Sequence, residues 1–159
     1  MCGRMDSLLE KDLRAWLRAV WANGKAIAPL NWIEPASGSS IGFPDVLLPV
    51  FPILIPCELK TAKKTKNERF VSIVRPVQCR FHLTMLRHGF FSCFLIGYGT
   101  KQNFEVWLSH NSFPFADHNE TPGEMFMCSN QSLNKTIERK ELILCLKSLM
   151  NKHNQLVSI

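Results

Sequence analysis

Two consecutive β-like segments, residues 45–50 and 53–60, constrain the fold of this chain more than any other feature of its sequence. A turn rich in proline separates them, which predicts a β-hairpin. In the second segment the odd positions hold apolar residues, and the last two even positions are Glu58 and Lys60. One strand face is therefore apolar and the other ends in charge. Pro56 has no backbone N–H to donate, which indicates a bulge or an unpaired side at that point.

The remaining elements follow from periodicity and turn residues. Apolar residues at helical spacing predict amphipathic helices, and runs rich in β-branched and aromatic residues predict strands. Helices are expected over residues 6–22, 76–88 and about 135–152. Strands are expected over residues 26–33, 90–98 and 104–108. A loop of small residues is expected over 35–40, and a long surface excursion over 110–133.

This order of elements predicts an α/β fold in which a mixed central β-sheet is flanked by helices. The 159 residues are expected to form one domain, 1–159, with a core over about 6–109 and a C-terminal excursion and helix over 110–159. Ser7-x-x-Glu10 matches a capping box at the start of the first helix. Gly89 is expected to end the second helix.

Composition narrows the class of protein. Apolar residues make up 46% of the chain and charged residues 20%, which is typical of a packed soluble domain. No apolar run approaches the roughly 20 residues of a membrane span, and acidic residues stand where an export signal would place its apolar stretch. We therefore expect a cytoplasmic protein, of a bacterium or of a phage-infected host. Six dispersed cysteines without a C-x-x-C motif are expected to be reduced thiols, not disulfides or zinc ligands.

The histidines and tryptophans carry no evident chemistry of their own. His82 and His88 are expected to be structural or surface residues of the second helix. The four tryptophans are expected to fill the core or an interface, and not to form a platform on which bases stack: Trp16, Trp21, Trp32 and Trp107.

The positive charge of the chain is concentrated in one segment. The formal net charge is +6, and residues 60–88 hold eight Lys and Arg against the single acid Glu68. This segment alone supplies the whole imbalance. The usual partner of such a segment is a phosphate backbone, and the alternative is a solvated lysine-rich loop.

Asp45 and Glu58 are expected to face each other across the hairpin. With Phe51-Pro52 at its tip, the hairpin pairs positions whose numbers sum to 103, as 45 and 58 do. Two like charges opposite one another destabilise a sheet, whereas a hard divalent cation between them would stabilise the pair. Lys60 points to the same face as Glu58. The alternative is an ordinary polar end of a hairpin.

Two acids, a divalent cation and an ammonium suit the hydrolysis of phosphodiesters. Magnesium polarises a phosphoryl oxygen and lowers the pKa of a bound water, while a lysine stabilises charge that develops on the phosphorus centre. The sequence contains no glycine-rich phosphate loop, and its one G-x-S-x-G match, at residues 38–42, lies between two predicted strands instead of between a strand and a helix. Covalent catalysis and nucleotide hydrolysis are therefore not indicated.

At this point the residues resemble a known family. Gly42-Phe43-Pro44-Asp45, followed thirteen positions after the aspartate by Glu58-Leu59-Lys60, resembles the signature of the PD-(D/E)XK nuclease superfamily. The nearest branches are the VRR-NUC and Holliday-junction-resolvase proteins, including small phage-encoded members. Gln78, in the helix opening Arg75-Pro76-Val77-Gln78, matches the glutamine that VRR-NUC-like proteins carry after the motif strand. The resemblance covers roughly residues 6–98 and implies a restriction-endonuclease-like core.

The resemblance also implies a set of site residues. The metal, Mg²⁺ with Mn²⁺ as a substitute, would be bound by Asp45, Glu58, the backbone carbonyl of Leu59 and an acid of the first helix, Glu10. For Glu10 the alternative is its place in the capping box. Lys60 would act in catalysis, and Gln78 would orient the lysine, the water or a phosphate; the alternative for Gln78 is a position on the helix surface.

The expected partner is DNA. Ser39 and Ser40 would hydrogen-bond phosphate or shape their loop, and a set of basic residues would follow the phosphates without sequence preference: Lys63, Lys64, Lys66, Arg69 and Arg75. The sequence thus predicts a magnesium-dependent endonuclease for branched DNA such as four-way junctions, acting as a homodimer because two symmetric cuts are needed. Two alternatives stay open: a non-catalytic DNA-binding module, and a restriction or end-processing nuclease of the same superfamily.

Overall fold

The computed structural model describes residues 6–23, 29–33, 42–64, 70–71, 74–111 and 125–158. Within these ranges the chain forms helices and strands in an alternating order. They are α1 (Glu10–Ala22), β1 (Asn31–Trp32), β2 (Val46–Val50), β3 (Ile53–Thr61), β4 (Lys63–Lys64), β5 (Phe70–Val71), α2 (Pro76–Arg87), β6 (Cys93–Gly99), β7 (Phe104–His110), β8 (Met125–Gln131) and α3 (Arg139–Val157).

Six of the strands form one mixed sheet, which confirms the predicted α/β fold. Their order is β1-β2-β3-β6-β7-β8, and β4 pairs with β5 apart from this sheet. β3 and β6 are parallel, with α2 between them in the chain, and the other neighbours in the sheet are antiparallel. None of the helices in the described ranges combines the length and the apolar character that a membrane span requires.

The hairpin of β2 and β3 has the register that the sequence predicts. Val46 pairs with Cys57 and Val50 pairs with Ile53, so paired positions sum to 103 along the whole ladder. A one-residue slip would move every side chain of β3 to the opposite face of the sheet. The register therefore decides which face Glu58 and Lys60 occupy.

Pro56 has one unpaired side, the side toward β6, and does not form a bulge. The ladder with β2 runs through Pro56 without a shift, and the ladder with β6 begins only at Cys57. The N–H of Ala62 donates to Gly97 O of β6 over 2.9 Å, so the even-numbered residues of β3 direct their backbone groups toward β6. At Pro56 that side has no partner strand, and the missing N–H is therefore tolerated.

The apolar face of β3 packs against α1, and α3 completes the same core by packing on β7 and β8. Ile55, Cys57 and Leu59 are fully buried in the main core. The two helices contribute residues at helical spacing to the same core: Leu13, Trp16, Leu17 and Val20 from α1, and Leu142, Leu146 and Leu149 from α3. Each fully buried leucine is worth about 1.5–3 kcal/mol relative to an exposed one. Core packing thus holds β3, and the residues on its other face, in place.

The first helix begins at Glu10 and not at residue 6, and the capping box predicted for Ser7 and Glu10 is wrong. Leu9 precedes the helix, and its backbone N–H donates to the Asp12 carboxylate over 2.9 Å. Ser7 instead forms an isolated bridge with Thr100. Leu8 is buried, and its N–H donates to Gly99 O. Residues 7–8 are therefore extended against the end of β6, which prevents helix formation there.

The C-terminal part differs from the prediction in one element. Residues 125–131, expected within a surface excursion, form the edge strand β8 against β7. α3 spans Arg139–Val157, and a turn closed by the bridge of Ser132 with Lys135 precedes it. α2 and its end at Gly89, where φ is +76°, agree with the prediction. The small-residue loop 35–40 and residues 26–28 of the predicted strand 26–33 lie outside the described residues, and the described part of that strand forms β1 only at Asn31–Trp32.

Candidate active site

The open end of the β2–β3 hairpin brings Asp45, Glu58 and Lys60 together. Asp45 directly precedes β2, and its Oδ2 accepts a hydrogen bond from the Leu59 N–H over 2.8 Å. On β3, Glu58 Oε1 lies 3.1 Å from Lys60 Nζ. Glu58 is 1% exposed and Lys60 5%. A buried acidic group and a buried basic group therefore occupy the face of β3 that the main core does not cover.

Gln78 connects this cluster to the start of α2. Its Oε1 accepts a hydrogen bond from the Arg75 N–H over 3.0 Å, and its Nε2 donates to Glu58 Oε1 in a short contact. The first of these bonds satisfies one of the N–H groups that a helix leaves free at its beginning. The side-chain amide is thereby held from both ends. Gln78 is partly buried and contacts the site instead of projecting from the helix surface.

α1 contributes two side chains one turn apart. Glu10 Oε1 lies 3.5 Å from Lys60 Nζ, with 48% of its side chain exposed. Since Asp12 accepts the bond from the Leu9 N–H, Glu10 has no capping role. Arg14 pairs with Asp45 Oδ1. The sequence analysis missed Arg14, although its spacing of four residues from Glu10 places both on one helix face.

The electrostatics of the cluster centre on Glu58. Burial raises the pKa of this carboxyl from its usual 4.5 to about 8; repulsion from Asp45 adds to the rise, and the nearby Lys60 ammonium opposes it. Burial disfavours the ionised form because the interior solvates charge poorly. A further positive charge at the two carboxylates would therefore stabilise their ionised forms.

The oxygen atoms at this position suit a magnesium ion. Glu58 Oε2 is buried and has no hydrogen-bond partner. In a strand the N–H and C=O of one residue point to the same edge, so the Leu59 carbonyl lies on the side of Asp45, beyond the last β2–β3 pair. Carboxylate and carbonyl oxygens are the ligands that Mg²⁺ accepts, and it commonly keeps water in its remaining positions.

Glu10 does not complete a three-acid site. Within the described ranges, no three His, Cys, Asp or Glu side chains converge closely enough to hold a metal ion. The acids that the structure brings together are Asp45 and Glu58, beside the carbonyl of Leu59, and metal binding by Glu10 stays a prediction. Glu10 lies on the outer side of Lys60.

Gly42 sets the position of the segment that carries Asp45. Its φ is +94°, and a Cβ atom there would lie 2.8 Å from the carbonyl oxygen of Val77 in α2. Only glycine combines this φ with so close a backbone approach at little cost. The next residue, Phe43, packs its ring 5.7 Å from that of Phe81. The loop before β2 is therefore fixed against the first half of α2.

The predicted DNA-binding residues are only partly placed. Lys63 in β4 and Arg75 before α2 are exposed, as phosphate contacts require. Lys64 follows Lys63 in β4. Ser39, Ser40, Lys66 and Arg69 lie outside the described residues.

His82 has a structural position behind the site. It is fully buried, and its Nδ1 lies 2.7 Å from Ser92 Oγ. Burial, with a smaller contribution from the Lys60 charge, lowers the pKa of His82 to about 4. His88, after the end of α2, is exposed. Both positions agree with the prediction of structural or surface roles.

Comparison of the chain with protein-family models, with curated proteins and with solved structures yields no match.

Proposed function

We propose that this chain is a magnesium-dependent DNA endonuclease that hydrolyses phosphodiester bonds. The observation that carries the proposal is the convergence of Asp45, Glu58 and Lys60, with Glu58 Oε2 buried and unpartnered. Two carboxylates, of which one has an oxygen without a hydrogen bond, lie next to an ammonium group. This arrangement suits a reaction in which negative charge develops on a phosphoryl group. The resemblance of Gly42–Asp45 and Glu58–Lys60 to the PD-(D/E)XK signature supports the same reaction and a restriction-endonuclease-like core.

The proposed mechanism assigns a role to each side chain. Asp45, Glu58 and the Leu59 carbonyl would hold the metal, which supplies Lewis acidity and a water of lowered pKa. Lys60 would face the non-bridging phosphate oxygens and stabilise their charge as water attacks phosphorus and the bond to the leaving sugar oxygen breaks. Gln78 would keep the Glu58 carboxylate in its orientation through the Nε2 contact.

The substrate class follows from the resemblance and from the charge distribution. Branched DNA such as a four-way junction is the proposed substrate, with a two-fold homodimer placing two symmetric cuts in the cytoplasm of a bacterium or a phage-infected host. Exposed Lys63 and Arg75 flank the site and would contact phosphates. Both residues belong to the basic segment 60–88.

A substrate panel tests the proposal. Linear duplex, flap and four-way-junction DNA are incubated with the protein in Mg²⁺ and in EDTA, and cutting is expected in Mg²⁺ alone, fastest on the junction. A restriction or end-processing nuclease would instead prefer the duplex or the flap. A non-catalytic DNA-binding module would bind these DNAs and cut none of them.

Substitutions at the site provide the first quantitative prediction. Asp45→Asn and Lys60→Ala should each lower the cleavage rate by about 100-fold or more, while DNA affinity in EDTA stays within about threefold because the phosphate contacts remain. Glu141→Gln and Lys147→Ala, at exposed positions of α3, are the matched controls. Circular dichroism verifies that each variant folds. Normal cleavage by either site variant would contradict the assignment.

A further inference from the structure

One face of α2 is left largely uncovered by the core. Val77, Arg80, Phe81 and Thr84 follow the i, i+3, i+4, i+7 spacing of one helix face. All of α2 lies in the described part of the chain, and within it only His82 is fully buried. These four side chains line one side of an open cavity of about 270 Å³, and Gly42 and Phe43 line its other side.

Phe43 presents an aromatic ring at the mouth of this cavity. The side chain is 54% exposed, although its ring packs at an interplanar angle of 50° against Phe81. Aromatic side chains are prominent among the residues that line small-molecule sites. The positive φ of Gly42 and its contact with Val77 hold the backbone before Phe43, so the ring has a defined place.

The chemistry of the cavity fits a planar aromatic ligand attached to an anion. Aromatic ring surface comes from Phe43 and Phe81, and the exposed Arg80 adds a guanidinium at the rim. Aromatic side chains stack on nucleobases, and arginine binds phosphate or stacks on a base. The volume lies just below the usual range of about 300–1,000 Å³ for small-molecule sites, which suits one base better than a larger ligand.

The cavity lies next to the candidate active site, because each of the two segments that line the cavity also carries a residue of that site. Phe43 stands two residues before Asp45, and Val77 directly precedes Gln78. A nucleotide whose phosphate reaches the carboxylates therefore has its base near Phe43. A base within a regular duplex has its faces covered by its neighbours, so only an unpaired or displaced base can present a face to a protein ring.

We propose that Phe43 is a stacking platform for an unpaired nucleobase next to the scissile phosphate, and that it makes the protein selective for DNA containing such bases. This inference rests on the proposed nuclease function and names the structural feature of the substrate. Arg80 contacts the phosphate of the same nucleotide. Phe43 is thus a specificity-determining residue, whereas Asp45, Glu58 and Lys60 act on the phosphodiester.

Binding measurements in EDTA test the platform without cleavage. Fluorescence anisotropy is recorded with three labelled duplexes: one with a single unpaired adenine, one with an abasic residue at that position, and one fully paired. Wild type is expected to bind the unpaired adenine about tenfold more tightly than the abasic residue, the order of magnitude of one base–aromatic stack. Phe43→Ala should reduce this ratio to within about twofold, because the base then has no ring to contact.

Two further variants separate stacking from folding. Phe43→Trp should keep or increase the ratio because indole offers a larger face. Phe51→Ala removes a ring that is 92% exposed at the hairpin tip, the end opposite Asp45, and should bind like wild type. Thermal unfolding of Phe43→Ala should stay close to that of wild type because the ring is half-exposed.

The outcomes distinguish this inference from the function on which it rests. If Phe43→Ala keeps the wild-type ratio, or loses affinity equally for all three duplexes, the platform is refuted. If wild type binds and cuts DNA but does not distinguish adenine from the abasic residue, the platform alone is refuted. If wild type binds none of the three duplexes but cuts the four-way junction, the platform alone is refuted, and if it also binds and cuts no DNA of the substrate panel, the nuclease proposal fails as well.

Discussion

Each carboxylate of the candidate site is paired with a different cationic side chain. Arg14 binds Asp45, and Lys60 lies against Glu58. The two cations have different surroundings, since the Arg14 side chain is 29% exposed and that of Lys60 is 6% exposed. Arg14 therefore has room to turn toward solvent, whereas Lys60 is fixed. A metal ion at Asp45 would compete with Arg14 and not with Lys60.

We predict that Arg14→Gln tightens metal binding. Removing a positive charge next to Asp45 removes repulsion toward an incoming cation and a competitor for its oxygen, which should raise Mn²⁺ affinity by about fivefold. Titration calorimetry with Mn²⁺ measures this. Arg18→Gln is the matched control, because Arg18 lies one turn further along α1 and packs on the Trp32 ring. Unchanged or weaker Mn²⁺ binding by Arg14→Gln would contradict competition at Asp45.

We also predict that Glu58→Gln stabilises the metal-free protein in a pH-dependent way. The folded pKa of Glu58 is about 8 against a usual 4.5, so the wild-type contribution is fully present below pH 4.5 and is lost as pH rises through 8. Glutamine does not ionise. The variant should therefore match wild type near pH 4.5 and exceed it by a few kcal/mol at pH 9.

Urea unfolding in EDTA at pH 4.5, 7 and 9 measures this difference. Glu141→Gln, in the exposed part of α3, should show no such trend. A stability difference that does not grow with pH would mean that Glu58 is ionised in the fold at neutral pH. Gain of stability with loss of cleavage is the usual relation at a catalytic site.

At the level of elements, the β2–β3 hairpin was the most predictable part of the chain. The alternation in residues 53–60 and the position of the turn define the register, and the register defines the shared position of Asp45 and Glu58. Both signals are local in sequence. The same holds for α2, which has proline at its start and Gly89 at its end.

The mispredicted elements depend on contacts between distant residues. β8 lies in a stretch rich in turn-forming residues, and it is a strand because β7 offers it a free edge. Ser7 is extended because residues 7–8 pair with the end of β6. Arg14 acquires its role only when α1 packs beside the hairpin. Neither local pattern nor propensity contains these contacts.

A buried histidine pair links β7, α3 and Gly89, the residue at the end of α2. His110 of β7 and His153 of α3 share a 2.7 Å contact between His110 Nε2 and His153 Nδ1. His153 Nε2 lies 2.9 Å from Gly89 O, after α2. Only one hydrogen atom fits between His110 Nε2 and His153 Nδ1. If both imidazole rings carried two protons, their N–H groups would point at each other. The pair therefore links α3 to the sheet in a pH-dependent manner.

We predict acid sensitivity from this pair. Burial, and then His153, lowers the pKa of His110 from 6.5 to about 4. The stability that neutral His110 contributes is fully present above pH 6.5 and is lost as pH falls through 4, by up to about 3 kcal/mol. His110→Gln should flatten urea-derived stability between pH 7 and 4, whereas exposed His88→Gln should not. A pH profile unchanged by His110→Gln would assign acid sensitivity to other groups.

At the level of the whole molecule, the basic segment 60–88 begins within the site, at Lys60, and its described part in α2 contacts the site again through Gln78. Lys60 is buried within the site, while Lys63 and Arg75 are exposed beside it. The segment runs from β3 through β4 and β5 into α2. Long-range attraction of a polyanion is therefore directed to the position where the chemistry is proposed.

We predict a steep salt dependence of DNA binding. Log affinity against log salt concentration should be linear, and Lys63→Ala and Arg75→Ala should each reduce its slope by about 1, the effect of one lost phosphate contact. Lys147→Ala, on α3, should leave the slope unchanged. Anisotropy titrations in EDTA over a series of salt concentrations provide these values. A slope near zero for wild type would contradict a phosphate-binding segment.

Because side chains alternate along β3, the residues that its folding requires and the residues that the proposed chemistry requires stand at different positions of the strand. Ile55, Cys57 and Leu59, at odd positions, belong to the main core, and Glu58 and Lys60 stand at even positions. A descendant of this chain is free to exchange both charged residues for neutral ones and still fold, whereas changes at Ile55 or Leu59 would unfold it. Paralogues that keep the architecture but lack the proposed activity are thus within reach of two substitutions.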